Sequence, residues 1–225
     1  MRRVVFTVFL ATLLAPLSAA AVPITLSTVS SDTTPAADLD ATFDFSVAGS
    51  VLTLVVTNDT TAPGDVFNIN EIYFNASDTS SVTGLTFTSA MHSVEGNVMM
   101  DWSSGMPLGL KTDIMADGFG VFDFGLTNMM GETDVSTIWG GEDPAQFVTF
   151  TFSISGTGPF APGDFIAPSS LGYTAAAKFV NGPGDDSAYG AVPEPSTGLL
   201  LAFGLAGLAV GLAGLAAARR RRSLH

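Results

Sequence analysis

The sequence predicts a mainly β protein, a single antiparallel β-sandwich with a jelly roll or an incomplete barrel as alternatives, followed by one C-terminal transmembrane helix. Three observations predict it. Apolar residues recur at every second position through most of the chain. The segments that do so are separated by Gly, Pro, Asn and Asp. Near the C-terminus, an uncharged apolar run is long enough to cross a bilayer.

Phe43, Phe45 and Val47 alternate with polar neighbours. Gly49-Ser50 then separates them from the apolar run Val51 to Val56, which reads as a hairpin. The clearest period is Val148, Phe150, Phe152 and Ile154 against Thr149, Thr151 and Ser153, the pattern of a half-buried strand. Further strands are expected near Val66 to Phe74, Val82 to Thr88, Asn97 to Trp102, Gly118 to Leu126 and Thr174 to Val180. Pro63-Gly64-Asp65 supplies turn chemistry before the first of these. No segment of comparable length holds a helical apolar period, and no internal repeat suggests a solenoid.

The two ends are read separately from this domain. Met1-Arg2-Arg3 gives a positive start, Val4 to Leu14 is an apolar run too short to anchor stably, and Ala19-Ala20-Ala21 fits an A-x-A cleavage site. Residues 1–21 are therefore expected to form a signal peptide, with the mature chain starting at Val22. From Gly198 to Ala218 no side chain is charged or hydrogen-bonding, and at about 1.5 Å per residue the run reaches about 30 Å, the thickness of a bilayer core. Arg219, Arg220, Arg221 and Arg222 follow at once. Such a cluster is held on the cytoplasmic side, which places the 22–190 domain across the membrane. Gly204, Gly207, Gly211 and Gly214 fall along one helical face. They read either as a close-packing surface or as a chance spacing in a Gly/Ala/Leu-rich segment.

The formal charge of the chain is −13, but six of its eight basic residues lie in the end segments. Between Val22 and Val192 only Lys111 and Lys178 oppose 20 acidic residues, a formal −18. A surface this acidic repels phosphate backbones, so no nucleic-acid partner is expected. The chain has no cysteine, which excludes thiol chemistry and cysteine metal sites.

Just before the apolar run stands Val192-Pro193-Glu194-Pro195-Ser196. Prolines flanking one carboxylate do not extend a helix, so the stretch is expected to be extended and exposed at the membrane face. The order of Pro193, Glu194 and Pro195, a small-residue helix and a terminal arginine cluster resembles the PEP-CTERM sorting domain, over residues 191–225. The resemblance implies an exosortase substrate in a Gram-negative host that makes exopolysaccharide and a biofilm or floc. It implies that a membrane-embedded exosortase reads Pro193, Glu194 and Pro195 while the helix and arginines retain the substrate. The product would reach the cell envelope, the surface or the extracellular matrix as a secreted protein. Asp117 to Gly125 and Ala176 to Gly182 look more loosely like stretches of other PEP-CTERM ectodomains, and equally like aromatic-rich strands with glycines where sheet geometry needs them.

Chemistry in the 22–190 region is sparse. His92 is its one histidine, expected as a solvated side chain in a Ser/Thr-rich loop. No nucleophile elbow or H-E-x-x-H motif is present. No catalytic, cofactor or metal residue is assigned, and the expectation is a non-enzymatic structural or interaction protein. A polysaccharide-active enzyme working through paired carboxylates is the weaker alternative, since no spacing singles out a pair. The other alternative is a binding module, lectin-like or calcium-dependent. Trp102, Trp139 or Tyr173 would stack on sugars, and Asp65-Asn68-Asn70-Glu71, Asp113-Asp117 or Asp185-Asp186 would supply oxygens for Ca2+. Asn58-Asp59-Thr60 and Asn75-Ala76-Ser77 match the glycosylation acceptor pattern and are assigned no function.

Overall fold

A computed structural model describes residues 21–26, 28–31, 39–60, 67–77, 81–103, 114–116, 118–131, 134–142, 144–182 and 186–193. The predicted signal peptide up to residue 20, the predicted transmembrane helix, Glu194, Pro195 and Arg219 to Arg222 lie outside them. Among the described residues no helix is long and apolar enough to cross a membrane.

The described chain is mainly β. In chain order its strands are β1 (Val22–Thr25), β2 (Thr28–Ser31), β3 (Ala41–Ala48), β4 (Val51–Asn58), β5 (Asn68–Phe74), β6 (Val82–His92), β7 (Gly96–Asn97), β8 (Trp102–Ser103), β9 (Ile114–Ala116), β10 (Gly120–Phe122), β11 (Phe124–Asn128), β12 (Ile138–Trp139), β13 (Phe147–Gly156), β14 (Tyr173–Gly182) and β15 (Asp186–Pro193). One antiparallel sheet runs β1-β3-β4-β13-β6-β7. The other runs β2-β15-β14-β5-β11-β8, with β12 also paired to β5.

The alternating sequences explain the layers. In β3 the residues Ala41, Phe43, Phe45 and Val47 are buried, while Thr42, Asp44 and Ser46 are only half-buried. In β13 Val148, Phe150, Phe152 and Ile154 are buried, while Thr149 and Thr151 are half-buried and Ser153 is exposed. These inner faces meet residues of the other sheet. The ring of Phe74 in β5 lies 5.6 Å from that of Phe45 and 6.0 Å from that of Phe152, and the Trp102 ring lies 5.0 Å from that of Phe150. One apolar cluster thus spans both sheets. The Gly49-Ser50 hairpin forms as the sequence predicts, with Ala48 paired to Val51. Pro23, which donates no ladder hydrogen bond, sits in β1 at a sheet edge.

A second, smaller core lies on the outer face of the β5 sheet. The hairpin β9-β10 places Ala116, Phe119 and Phe122 against Tyr73, Ala176 and Ala191. The strand expected over Gly118 to Leu126 is therefore two strands. It breaks at Asp123, whose N–H donates to Asn75 Oδ1 (2.8 Å) and whose Oδ2 accepts the N–H of Ala76 (2.9 Å). That bracket ties the break to the end of β5 and sends β10 and β11 to different partners. The strand expected over Asn97 to Trp102 is likewise two short pieces around a turn, closed by Asp101 and Trp102 N–H donating to the Val98 carbonyl.

The domain boundary drawn at Gly190 falls inside β15. Ala191 pairs with Ala176 and Val192 with Ala175, both are buried, and the strand ends at Pro193, opposite Tyr173. The small Ala191 side chain completes the outer core, which the sequence offered no period to reveal.

Candidate functional site

The site is built on the segment Asp134 to Trp139. Asp134 Oδ1 accepts both the N–H (2.9 Å) and the hydroxyl (2.6 Å) of Ser136, and Thr137 Oγ1 donates to the Asp134 carbonyl (2.7 Å). An aspartate starting a turn this way organises the backbone two residues on. The bonds from Ser136 hold the Asp134 carboxyl below the usual carboxylate range.

Three successive carbonyls of this segment are then each taken by a side chain from a different strand. Trp102 Nε1 donates to Ser136 O (2.9 Å), His92 Nε2 to Thr137 O (3.1 Å) and Asn58 Nδ2 to Ile138 O (2.8 Å). Asn58 Nδ2 also donates to Phe67 O (2.8 Å), and Asn128 Nδ2 to Ser136 Oγ (2.8 Å). The segment has little regular pairing of its own, and these side chains satisfy its backbone instead.

His92 differs from its expectation. It closes β6, is 4% exposed, and accepts the N–H of Val94 (3.1 Å) and Glu95 (3.2 Å) at Nδ1. Both ring nitrogens are thus engaged by backbone groups. Burial depresses its pKa below the ordinary value, against smaller opposing effects of the Thr137 bond and the Glu95 charge. The stretch His92 to Glu95, which reads as a loop in sequence, is a turn capped by the histidine itself.

Above His92 opens a cleft of about 140 Å³. Trp139 and Gln146 are its half-buried walls, and Val94, Glu95, Val135 and Glu142 are its exposed rim. Trp139 is fixed by Nε1 donating to Asp134 O (3.2 Å), and its backbone N–H donates to Gln146 Oε1 (3.4 Å).

Of the three aromatic residues expected to stack on sugars, only Trp139 lines this cleft. Trp102 is 1% exposed in the core, and Tyr173 packs edge-on against Phe119 at 4.8 Å. Of the residues expected to bind calcium, only Asn68, Asn70, Glu71 and Asp186 lie among the described residues. Asn68 and Asn70 are buried, whereas Glu71 accepts bonds from Lys178 Nζ (3.1 Å) and the Tyr73 hydroxyl. Burial and the bond to Glu71 raise the Tyr73 pKa. Asp65, Asp113, Asp117 and Asp185 lie outside the described residues, and among those described no three His, Asp or Glu side chains form a group able to hold a metal. Asn58 and Asn75 of the two acceptor patterns are buried and bonded inward.

The sheet register places the cleft relative to the tail. Trp139 pairs with Asn68 at one end of β5, whereas β14 and β15 deliver Pro193 beyond Phe74 at the other. At ~3.3 Å per residue the two are roughly 25 Å apart along the strands. Comparison with known protein families, curated proteins and solved structures finds no match.

Proposed function

We propose that the chain is an exported, non-enzymatic structural or interaction protein of a Gram-negative envelope or exopolysaccharide matrix, delivered by a signal peptide and processed by an exosortase. Its ectodomain is a single β-sandwich, and its C-terminal segment is a transmembrane helix with a cytoplasmic arginine cluster. The observation that carries this reading is the order of Pro193-Glu194-Pro195, the uncharged Gly198 to Ala218 run and Arg219 to Arg222. Two structural boundaries support it. Strand β1 begins at Val22, where signal cleavage would leave the chain, and β15 ends at Pro193, where the recognition tripeptide begins. The described fold thus starts at the expected mature N-terminus and includes Pro193, the first residue of the tripeptide.

The test replaces Pro193-Glu194-Pro195 with Ala-Ala-Ala in a host that has an exosortase, followed by membrane fractionation. The variant is expected to accumulate uncleaved in the inner membrane. Processing and release at the wild-type level would contradict the assignment and leave a simple membrane-anchored protein. Neutral replacements of Arg219 to Arg222 are expected to weaken retention, because the positive cluster resists translocation of the C-terminus.

A binding-module role has one specific observation in its favour, the Trp139 cleft at the end of the domain remote from Pro193.

A further inference from the structure

We infer that the cleft between Trp139 and the turn after β6 binds a neutral hexopyranose unit of a polysaccharide chain. The inference deepens the interaction role proposed above and rests on it for the setting, while the binding chemistry comes from the cleft itself.

Size limits the ligand first. A space of about 140 Å³ is below the several hundred Å³ usual for drug-sized molecules. It suits one ring of a chain that continues into solvent through the open mouth. Surface chemistry limits it next. Val94 is 65% and Val135 54% exposed beside the half-buried Trp139, so one aromatic and two aliphatic side chains line the cleft together. An aromatic wall with aliphatic neighbours matches the C–H face of a pyranose, whose hydroxyls point outward around the ring.

The polar groups fit that rim of hydroxyls. Glu95 and Glu142 are acceptors, and a carboxylate takes an O–H in a charge-assisted bond. The amide oxygen of Gln146 accepts the backbone N–H of Trp139 at 3.4 Å, which leaves its NH2 as the donor of the same wall. Among the described residues no Lys or Arg lines the cleft and His92 is neutral, while two carboxylates at its mouth repel uronate or sulfated sugars, which selects a neutral ring. Finally, the platform is pre-organised. The carbonyls at 136, 137 and 138 are pinned by Trp102, His92 and Asn58, so little ordering cost is left for the binding step.

The test is affinity electrophoresis of the full chain in detergent-containing native gels cast with dextran, galactomannan or starch, and with alginate as the anionic comparator. Retardation is expected by at least one neutral polymer and not by alginate. Trp139→Ala should weaken it by about tenfold or more, the loss of one stacked ring. Because Trp139→Ala could disturb the segment, Glu142→Gln on the exposed rim serves as a second variant, expected to weaken retardation several-fold while leaving circular dichroism unchanged. Absence of retardation by all three neutral polymers, equal retardation by alginate, or unchanged retardation in both variants would overturn the inference. Failure of the sorting proposal is distinguishable, since it would leave the gel result intact.

Discussion

His92 donates its Nε2–H to the carbonyl oxygen of Thr137, 3.1 Å away, while its Nδ1 accepts two backbone N–H groups. The ring must therefore be neutral, because a proton on Nδ1 would face two donors. The sign follows from the lowered pKa. The unfolded chain takes up a proton as pH falls through about 6.5, the ordinary histidine value, whereas the folded chain resists it. The contribution of His92 to stability is complete above that value and declines as pH drops below it.

Urea unfolding at pH 7.5, 6.5 and 5.5 checks this. The wild-type midpoint should hold from 7.5 to near 6.5 and then fall. His92→Gln should start lower at pH 7.5, by about 1–3 kcal/mol for the unsatisfied backbone groups, and should lack most of the decline to 5.5. Parallel pH profiles for the two proteins would contradict the assignment.

Asn58 is 1% exposed and donates to two carbonyls, those of Phe67 and Ile138. Asn58→Ala leaves both buried without that donor, so the expected loss is roughly 2–4 kcal/mol by equilibrium unfolding. Gly140→Ala should act on the same joint, since its added Cβ would lie 2.8 Å from the Phe67 carbonyl oxygen. A loss below about 0.5 kcal/mol for Asn58→Ala would show that water replaces the side chain at no cost.

The end of β15 gives a third expectation. A fragment covering 22–193 keeps Ala191 and Val192 in the core, whereas one covering 22–190 removes both. The shorter fragment should be less stable by roughly 2–4 kcal/mol, from one buried valine and the lost ladder bonds. Thermal melts followed by far-UV circular dichroism compare them directly. Equal melting temperatures would place the functional boundary at Gly190 after all.

The sheets were legible wherever one strand face is apolar and the other polar. Val148 to Ile154 and the Gly49-Ser50 hairpin show this, because period two is a direct consequence of burying one face. The short pieces were not legible. Ile138-Trp139 pairs with β5 through only two residues, and its place is set by Trp102, His92 and Asn58, which are distant in sequence. The same long-range bonds hid the site. Trp139 carried no local signal to separate it from the core Trp102, and His92 looked like a loop residue because its partners, Thr137 among them, come from tertiary contacts. The bulge near Asn70, where Lys178 pairs with Glu71 and Phe179 with Ile69, splits a cluster that reads as contiguous in sequence.

The most direct measurement of the central claim is the intact mass of the protein recovered from the envelope or medium of an exosortase-containing Gram-negative host. The account predicts a chain that starts at Val22 and ends upstream of Gly198, with the apolar run and the arginines gone. A recovered protein that still carries Met1, or that still carries Arg219 to Arg222, would contradict it.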